Sequence, residues 1–238
     1  MRHRTPRHQR KSKRQRIRRL LISALAAVGA TFAVRSAPLS DFLPDQTTGR
    51  AKLTYTKVLQ GSSPEYLSVS VDRAGSGSYD GRKLDDPPHP RPLKLSDATT
   101  QKLFELAAAL GDFRAVDLES HKRVANLGTK TLTYEEDGQK YQARFNYSLR
   151  REAQELSELF EKIAAVEQHI AVLEYAAKYD HLSLPRELLQ IQIDLNNKAL
   201  ADPQLMVPTL DQIARNPRFL HLAQVRAQNI LERLQNTN

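Results

Sequence analysis

Cysteine and tryptophan are both missing from the 238 residues. Without cysteine there is no disulfide, no thiol nucleophile and no lipid-modified residue behind a signal segment. A body of about 200 residues can still bury enough apolar surface to fold without such staples. Without tryptophan the largest aromatic platform for a sugar ring is gone, although eight tyrosines remain. Catalytic motifs are also lacking. No Gly-x-Ser-x-Gly occurs, no Ser-x-x-Lys occurs in residues 36–238, and no His-Glu-x-x-His pairs metal ligands on one helix face. Gly75-Ser76-Gly77 is too short to cradle a phosphate and has no P-loop lysine after it, so it reads as a hairpin bend.

The last absence is acidic residues from the first 35 positions, which hold eleven Lys/Arg (Arg2 to Arg19, and Arg35). Removing those eleven from the 36 Lys/Arg leaves 25 against 27 Asp/Glu, so residues 36–238 carry about −2 although the whole chain carries +9. Leu20 to Val34 follows the basic run as fifteen mostly apolar, uncharged residues. A basic segment abutting an apolar run of this length is the pattern of an export signal or membrane anchor, with the positive flank kept cytoplasmic. The run suits a signal core and is short for a spanning helix. Small residues place cleavage acceptably after Ser36 or Ala30, whereas the nineteen-residue basic segment suits an uncleaved anchor. Arg18-Arg19 lacks the rest of a twin-arginine signal. The rival reading is a nucleic-acid grip by Arg2–Arg19, since basic runs release counterions from phosphates. It leaves the apolar run without a role, and the near-neutral body does not favour nucleic acid.

The expected organisation is residues 1–35 as basic segment plus signal or anchor, 36–50 as a linker, 51–148 as a β-rich α+β domain, and 149–238 as a helical region. Lys52–Leu59 and Glu65–Asp72 read as strands, the second with Leu67, Val69 and Val71 alternating with serines. Asp72–Gly75 is a turn, and Ser76–Tyr79 returns as a third strand. Asp85–Pro92 is too proline-rich for a sheet interior, and Pro87–Pro90 fits a stiff linker better than an extended proline-rich ligand. Ser96 caps a helix whose apolar face is Leu103, Phe104, Leu106, Ala107 and Leu110, with Gly111 as its stop. Asp137-Gly138 joins Lys130–Glu135 to Lys140–Tyr147 as a hairpin. The expected fold class is therefore α+β: a small antiparallel sheet, β-β-β-α-β-β, with one packed helix, followed by an all-α region and preceded by a signal or anchor helix.

Past Ser148, Leu156, Leu159, Ile163, Val166, Ile170, Leu173 and Ala177 keep a 3–4 spacing. That seam could pair two chains, but a short connection favours packing on Arg186–Leu200 of the same chain. Pro185 opens a second helix, Asp202-Pro203 a third, and Asn216-Pro217 a fourth ending near Leu234. Pro208-Thr209-Leu210, Ile213-Ala214, the Asn216-Pro217 turn, Val225-Arg226-Ala227 and Ile230-Leu231 resemble one unit of a HEAT-type repeat over about residues 203–235. The Tyr66–Val71 strand, the Gly75–Tyr79 turn and strand, the Leu103–Leu110 helix with Phe113, and the Tyr134–Gln142 hairpin resemble exported bacterial domains of unknown function over about residues 65–170. That resemblance implies an envelope protein and carries no activity with it.

The cluster with most chemical content is Asp117, Glu119 and His121. On an extended strand the three side chains would share one face, and two carboxylates with an imidazole suit a divalent metal. Otherwise they form a polar connection between two elements. His169, His181 and His221 have no ligand partner at helical spacing. Asn146-Tyr147-Ser148 is a glycosylation sequon only in a eukaryotic secretory pathway. The expectation is a membrane-anchored or secreted envelope protein of the non-enzymatic binding kind. Its contacts would be the membrane through Leu20–Val34 and a protein partner through the helical region, with no cofactor, no nucleic acid and an open oligomeric state. The alternatives are a metal-assisted hydrolase built on Asp117, Glu119 and His121, and nucleic-acid binding through the basic tail.

Overall fold

The computed structural model describes residues 51–236, which fall within one compact unit. The expected signal or anchor (1–35) and linker (36–50) lie outside the described residues. Six strands form one antiparallel sheet: β1 (Lys52–Val58), β2 (Tyr66–Asp72), β3 (Ser76–Arg82), β4 (Arg91–Lys94), β5 (Thr129–Glu136) and β6 (Gln139–Phe145), in the order β4-β3-β2-β1-β5-β6. Period-two patterning decides which face is covered. Leu53 and Tyr55, Val69 and Val71, Tyr79, Leu132 and Tyr134, and Ala143 and Phe145 are buried on one side. Thr54, Ser70, Ser78 and Thr133 lie side by side on the other. The Asp137-Gly138 turn places both residues at positive φ (51° and 77°), as a two-residue hairpin loop requires. Gly77 carries no side chain because a Cβ there would run into the Ser70 carbonyl of the neighbouring strand.

β4 is a strand that the sequence pattern did not predict. Pro92 sits in it opposite Ser78, at the sheet edge, where its missing N–H interrupts no ladder. The strand order along the chain is therefore β-β-β-β-α-β-β. A second difference concerns the cover of the sheet. α1 (Asp97–Ala109) packs there, capped by Ser96 as expected, but so does the first half of α2 (Arg151–Tyr179). Phe160 of α2 stacks on Tyr55 at 5.3 Å between ring centroids, with the planes only 5° apart. Two helices pack on the sheet instead of one.

α2 belongs to two apolar clusters. Ala153, Leu156, Phe160, Ile163 and Ala164 join the sheet and α1. Val166, Ile170, Leu173 and Ala176 join α3 (Leu184–Asn196), α4 (Val207–Arg215) and α5 (His221–Gln235). The heptad seam is thus buried within this chain, its distal half against Leu188 and Ile191 of α3. The expected third helix starts later than Pro203: Pro203–Met206 form a 3-10 turn, and α4 begins at Val207 with Pro208 in its first turn. Nor does Pro217 open α5. Asn216 accepts from the Arg218 N–H at 3.0 Å in an Asx turn, and the helix starts only at His221. In the α4–α5 pair, Leu210, Ile213, Ala227, Ile230 and Leu231 are buried and Val225 is exposed.

Candidate functional site

The chemistry on this fold gathers where α2 crosses the strands. Along β1 the covered side runs Leu53, Tyr55, Lys57, and along β5 it runs Tyr134, Leu132, Lys130. Strand parity therefore places two lysines directly opposite each other under the helix, at the end of an apolar row. Glu161 of α2 meets both. Its carboxylate accepts from the Tyr55 hydroxyl at 2.7 Å and from Lys57 Nζ at 3.1 Å, and Lys130 Nζ lies 4.0 Å away. Burial pushes the Tyr55 hydroxyl far up, and the Glu161 charge adds to it. Burial also lowers the Lys130 ammonium, opposed by Glu161 and reinforced by Lys57.

Two turns further on, α2 reaches β3 and β4. Arg91 of β4 pairs with Glu174 at 3.1 Å. Glu167 lies four residues after Ile163 and three before Ile170, in the apolar seam, and is only 4% exposed. Burial raises its carboxyl above the usual carboxylate range, Arg91 opposes that, and Glu174 adds to it. Burial beside Glu167 pushes the Tyr79 hydroxyl up to about 12. Gly81 makes room for that hydroxyl, since a Cβ there would collide with it.

Between these two charged ends the surface is concave. A cavity of about 620 Å³ is lined by Tyr79, Gly81, His89, Arg91, Val172 and Glu174, among others. A second of about 180 Å³ is lined by Lys57, Leu59, Leu67 and Glu161. Both share Ser63, Pro64 and Gln168, so they form one cleft between α2 and the sheet, under the β1–β2 loop. That loop is pinned in place. Ser62 Oγ donates to the Leu59 carbonyl at 2.7 Å, and the Glu65 carboxylate takes the Gly61 and Leu84 N–H groups at 2.8 and 3.2 Å. Those two N–H groups hold the Glu65 carboxyl below its usual range.

The three residues singled out in the sequence lie elsewhere. Residues 114–128 form no strand, and His121 has φ +53°, so the shared face that an extended chain would give is not formed. Asp117 and His121 do meet, Oδ2 to Nε2 at 2.7 Å, and are largely exposed. The hydrogen bond from His121 lowers the Asp117 carboxyl, and Asp117 raises the His121 imidazole. Glu119 turns to the backbone instead, taking the Asn146 and Ser120 N–H groups at 2.7 and 2.9 Å. It pins the loop to the end of β6. Among the described residues no group of three or more His, Asp or Glu side chains is placed to hold a metal ion. His169 bonds Asp194 at 2.9 Å, His181 packs edge-on against Phe219, and His221 opens α5. His89, from the proline-rich segment, borders the cleft.

The cleft residues went unnoticed in the sequence because they come from five elements. The available signal was parity: Lys57 falls on the apolar parity of β1, where a core side chain is expected. Compared with known proteins, the chain matches no protein-family model, and no curated protein matches it in sequence.

Proposed function

We propose that this chain is a non-enzymatic binding module of the bacterial cell envelope. Leu20–Val34 carries the body across the membrane or holds it there, and Arg2–Arg19 stays on the cytoplasmic side. The observation that carries this reading is the charge partition: eleven Lys/Arg and no acid in residues 1–35, around an apolar run, ahead of a body of about −2. The likeness of residues 65–170 to exported bacterial domains, and of 203–235 to a HEAT-type pair, supports the same reading. Binding takes place through the cleft and through the helical region, where Leu189 and Ile193 of α3 and Leu222 and Val225 of α5 are exposed. No cofactor enters this reading.

The test is protease accessibility. Added protease is expected to digest the body in intact spheroplasts. A body that survives until the membrane is broken would overturn the assignment. No described helix is long and apolar enough to cross a membrane.

A further inference from the structure

The large apolar residues that the fold leaves most open to water gather at one end of the helical region. Leu182 is 77% exposed and Tyr175 and Tyr179 are each 64% exposed, the three highest values among the described large hydrophobic residues. Leu220 and Leu222 are half-exposed. Leu182 belongs to the α2–α3 turn, Leu220 to the α4–α5 connection and Leu222 to the first turn of α5. The two connections meet, because His181 packs edge-on against Phe219 with ring centroids 4.9 Å apart. Leu222 also lies one turn before Arg226, which donates to the Pro185 carbonyl at the start of α3. On α2 the seam takes Leu173 and Ala176, so Tyr175 and Tyr179 fall on the open side of the helix, their rings 5.1 Å apart.

The charge around this tip has the opposite sign to the body's. Lys178, Arg186, Arg218 and Arg226 stand there against Asp180 and Glu187, four cations to two anions, whereas residues 36–238 hold 25 Lys/Arg and 27 Asp/Glu. Arg186 pairs with Glu187 at 2.7 Å, and Lys178 lies over the Tyr179 ring. Further back, Glu174 is paired with Arg91 and Arg215 with Asp211. An exposed apolar patch rimmed by polar residues marks a surface that meets a protein or a membrane. Two features favour a membrane. Tyrosine places an apolar ring and a polar hydroxyl together, which suits the layer between lipid headgroups and hydrocarbon. The long arms of lysine and arginine let their charges reach lipid phosphates while the stems lie along apolar surface. Each basic residue near an anionic surface strengthens attachment about fivefold.

We propose that this tip docks on an anionic lipid surface, with Leu182, Leu220 and Leu222 entering the headgroup layer, Tyr175 and Tyr179 at its edge, and Lys178 and Arg218 against lipid phosphates. The contact is peripheral and separate from any attachment through residues 20–34. It is read at the tip alone, so its failure and a failure of the export reading are distinguishable.

The lack of cysteine supplies the test, because one introduced thiol is then the only thiol in the chain. The full-length chain with Leu182→Cys, or with Lys140→Cys on β6 as the control, is labelled with an environment-sensitive fluorophore. Both positions are exposed, so the core is left intact. Each labelled chain is mixed with vesicles of phosphatidylcholine alone or with added phosphatidylglycerol. On the anionic vesicles the Leu182 probe is expected to shift to the blue and to be quenched by lipid-borne quenchers, while the Lys140 probe stays as in water. Salt at about 1 M is expected to reverse the shift. Lys178→Gln and Arg218→Gln, each added to the Leu182 probe chain, are expected to lower the docked-to-free ratio about fivefold. A Leu182 probe that stays in water on anionic vesicles, or shifts equally on neutral ones, would overturn the proposal. The same shift obtained without lipid would assign the tip to contact between copies and overturn it as well.

Discussion

Glu167 is the residue whose cost is easiest to read. Burial favours its neutral form, so the folded carboxyl titrates above the unfolded one. Below the ordinary carboxylate range both states are protonated and the residue costs nothing. As pH rises through that range toward the folded value, the unfolded chain ionises more readily and stability is lost. Glu167→Gln is therefore expected to raise the melting temperature at neutral pH by about 2–4 °C, on the order of 1 kcal/mol. The gain should fade below about pH 4. An unchanged or lower melting temperature at pH 7 would contradict the desolvated placement. Gly77 makes a second prediction at this scale. A Cβ at that position meets the Ser70 backbone, which cannot move without parting β2 from β3. Gly77→Ala should lower stability by on the order of 3 kcal/mol, measured by urea unfolding.

Among the elements, α1 and the chain before α4 depend on each other. Asp202, in left-handed backbone at φ +54°, accepts from Ser96 N at 2.7 Å, Ser96 Oγ at 2.8 Å and Thr99 Oγ1 at 2.6 Å. A residue that looks in sequence like a helix opener is in fact bound to the cap of a helix about a hundred positions earlier. Asp202→Ala should cost about 1–2 kcal/mol in chemical denaturation, as loss of a cap does. Much of this level was legible beforehand. The Leu67–Val71 alternation, the Asp137-Gly138 turn and the Ser96 cap are local signals, and their elements stand where those signals put them. β4 was not legible because four residues with a proline carry no period, and only pairing with β3 makes them a strand. The cleft was illegible for the same reason at longer range. Lys57, Arg91, Glu161 and Glu174 become a set only after α2 is laid over the sheet. Asp117, Glu119 and His121 drew notice because they are neighbours in sequence, yet a loop with positive φ at His121 is free to send Glu119 to the backbone.

Over the whole molecule, α2 ties the sheet cluster and the helical cluster together. Because Phe160 and Leu173 are buried on one continuous helix, the two clusters should unfold in one step. Leu156→Ala and Leu188→Ala, one in each cluster, are expected to shift the same circular-dichroism transition, each by about 2–5 kcal/mol. Two separate transitions would show that α2 does not couple them. The central claim concerns address: an apolar run enters the membrane while the arginines before it stay behind. A phosphatase that is active only outside the cytoplasm, fused after Asn238, tests it most directly. The account predicts an active enzyme in living cells. An inactive phosphatase, together with a fluorescent cytoplasmic reporter at the same position, would contradict it.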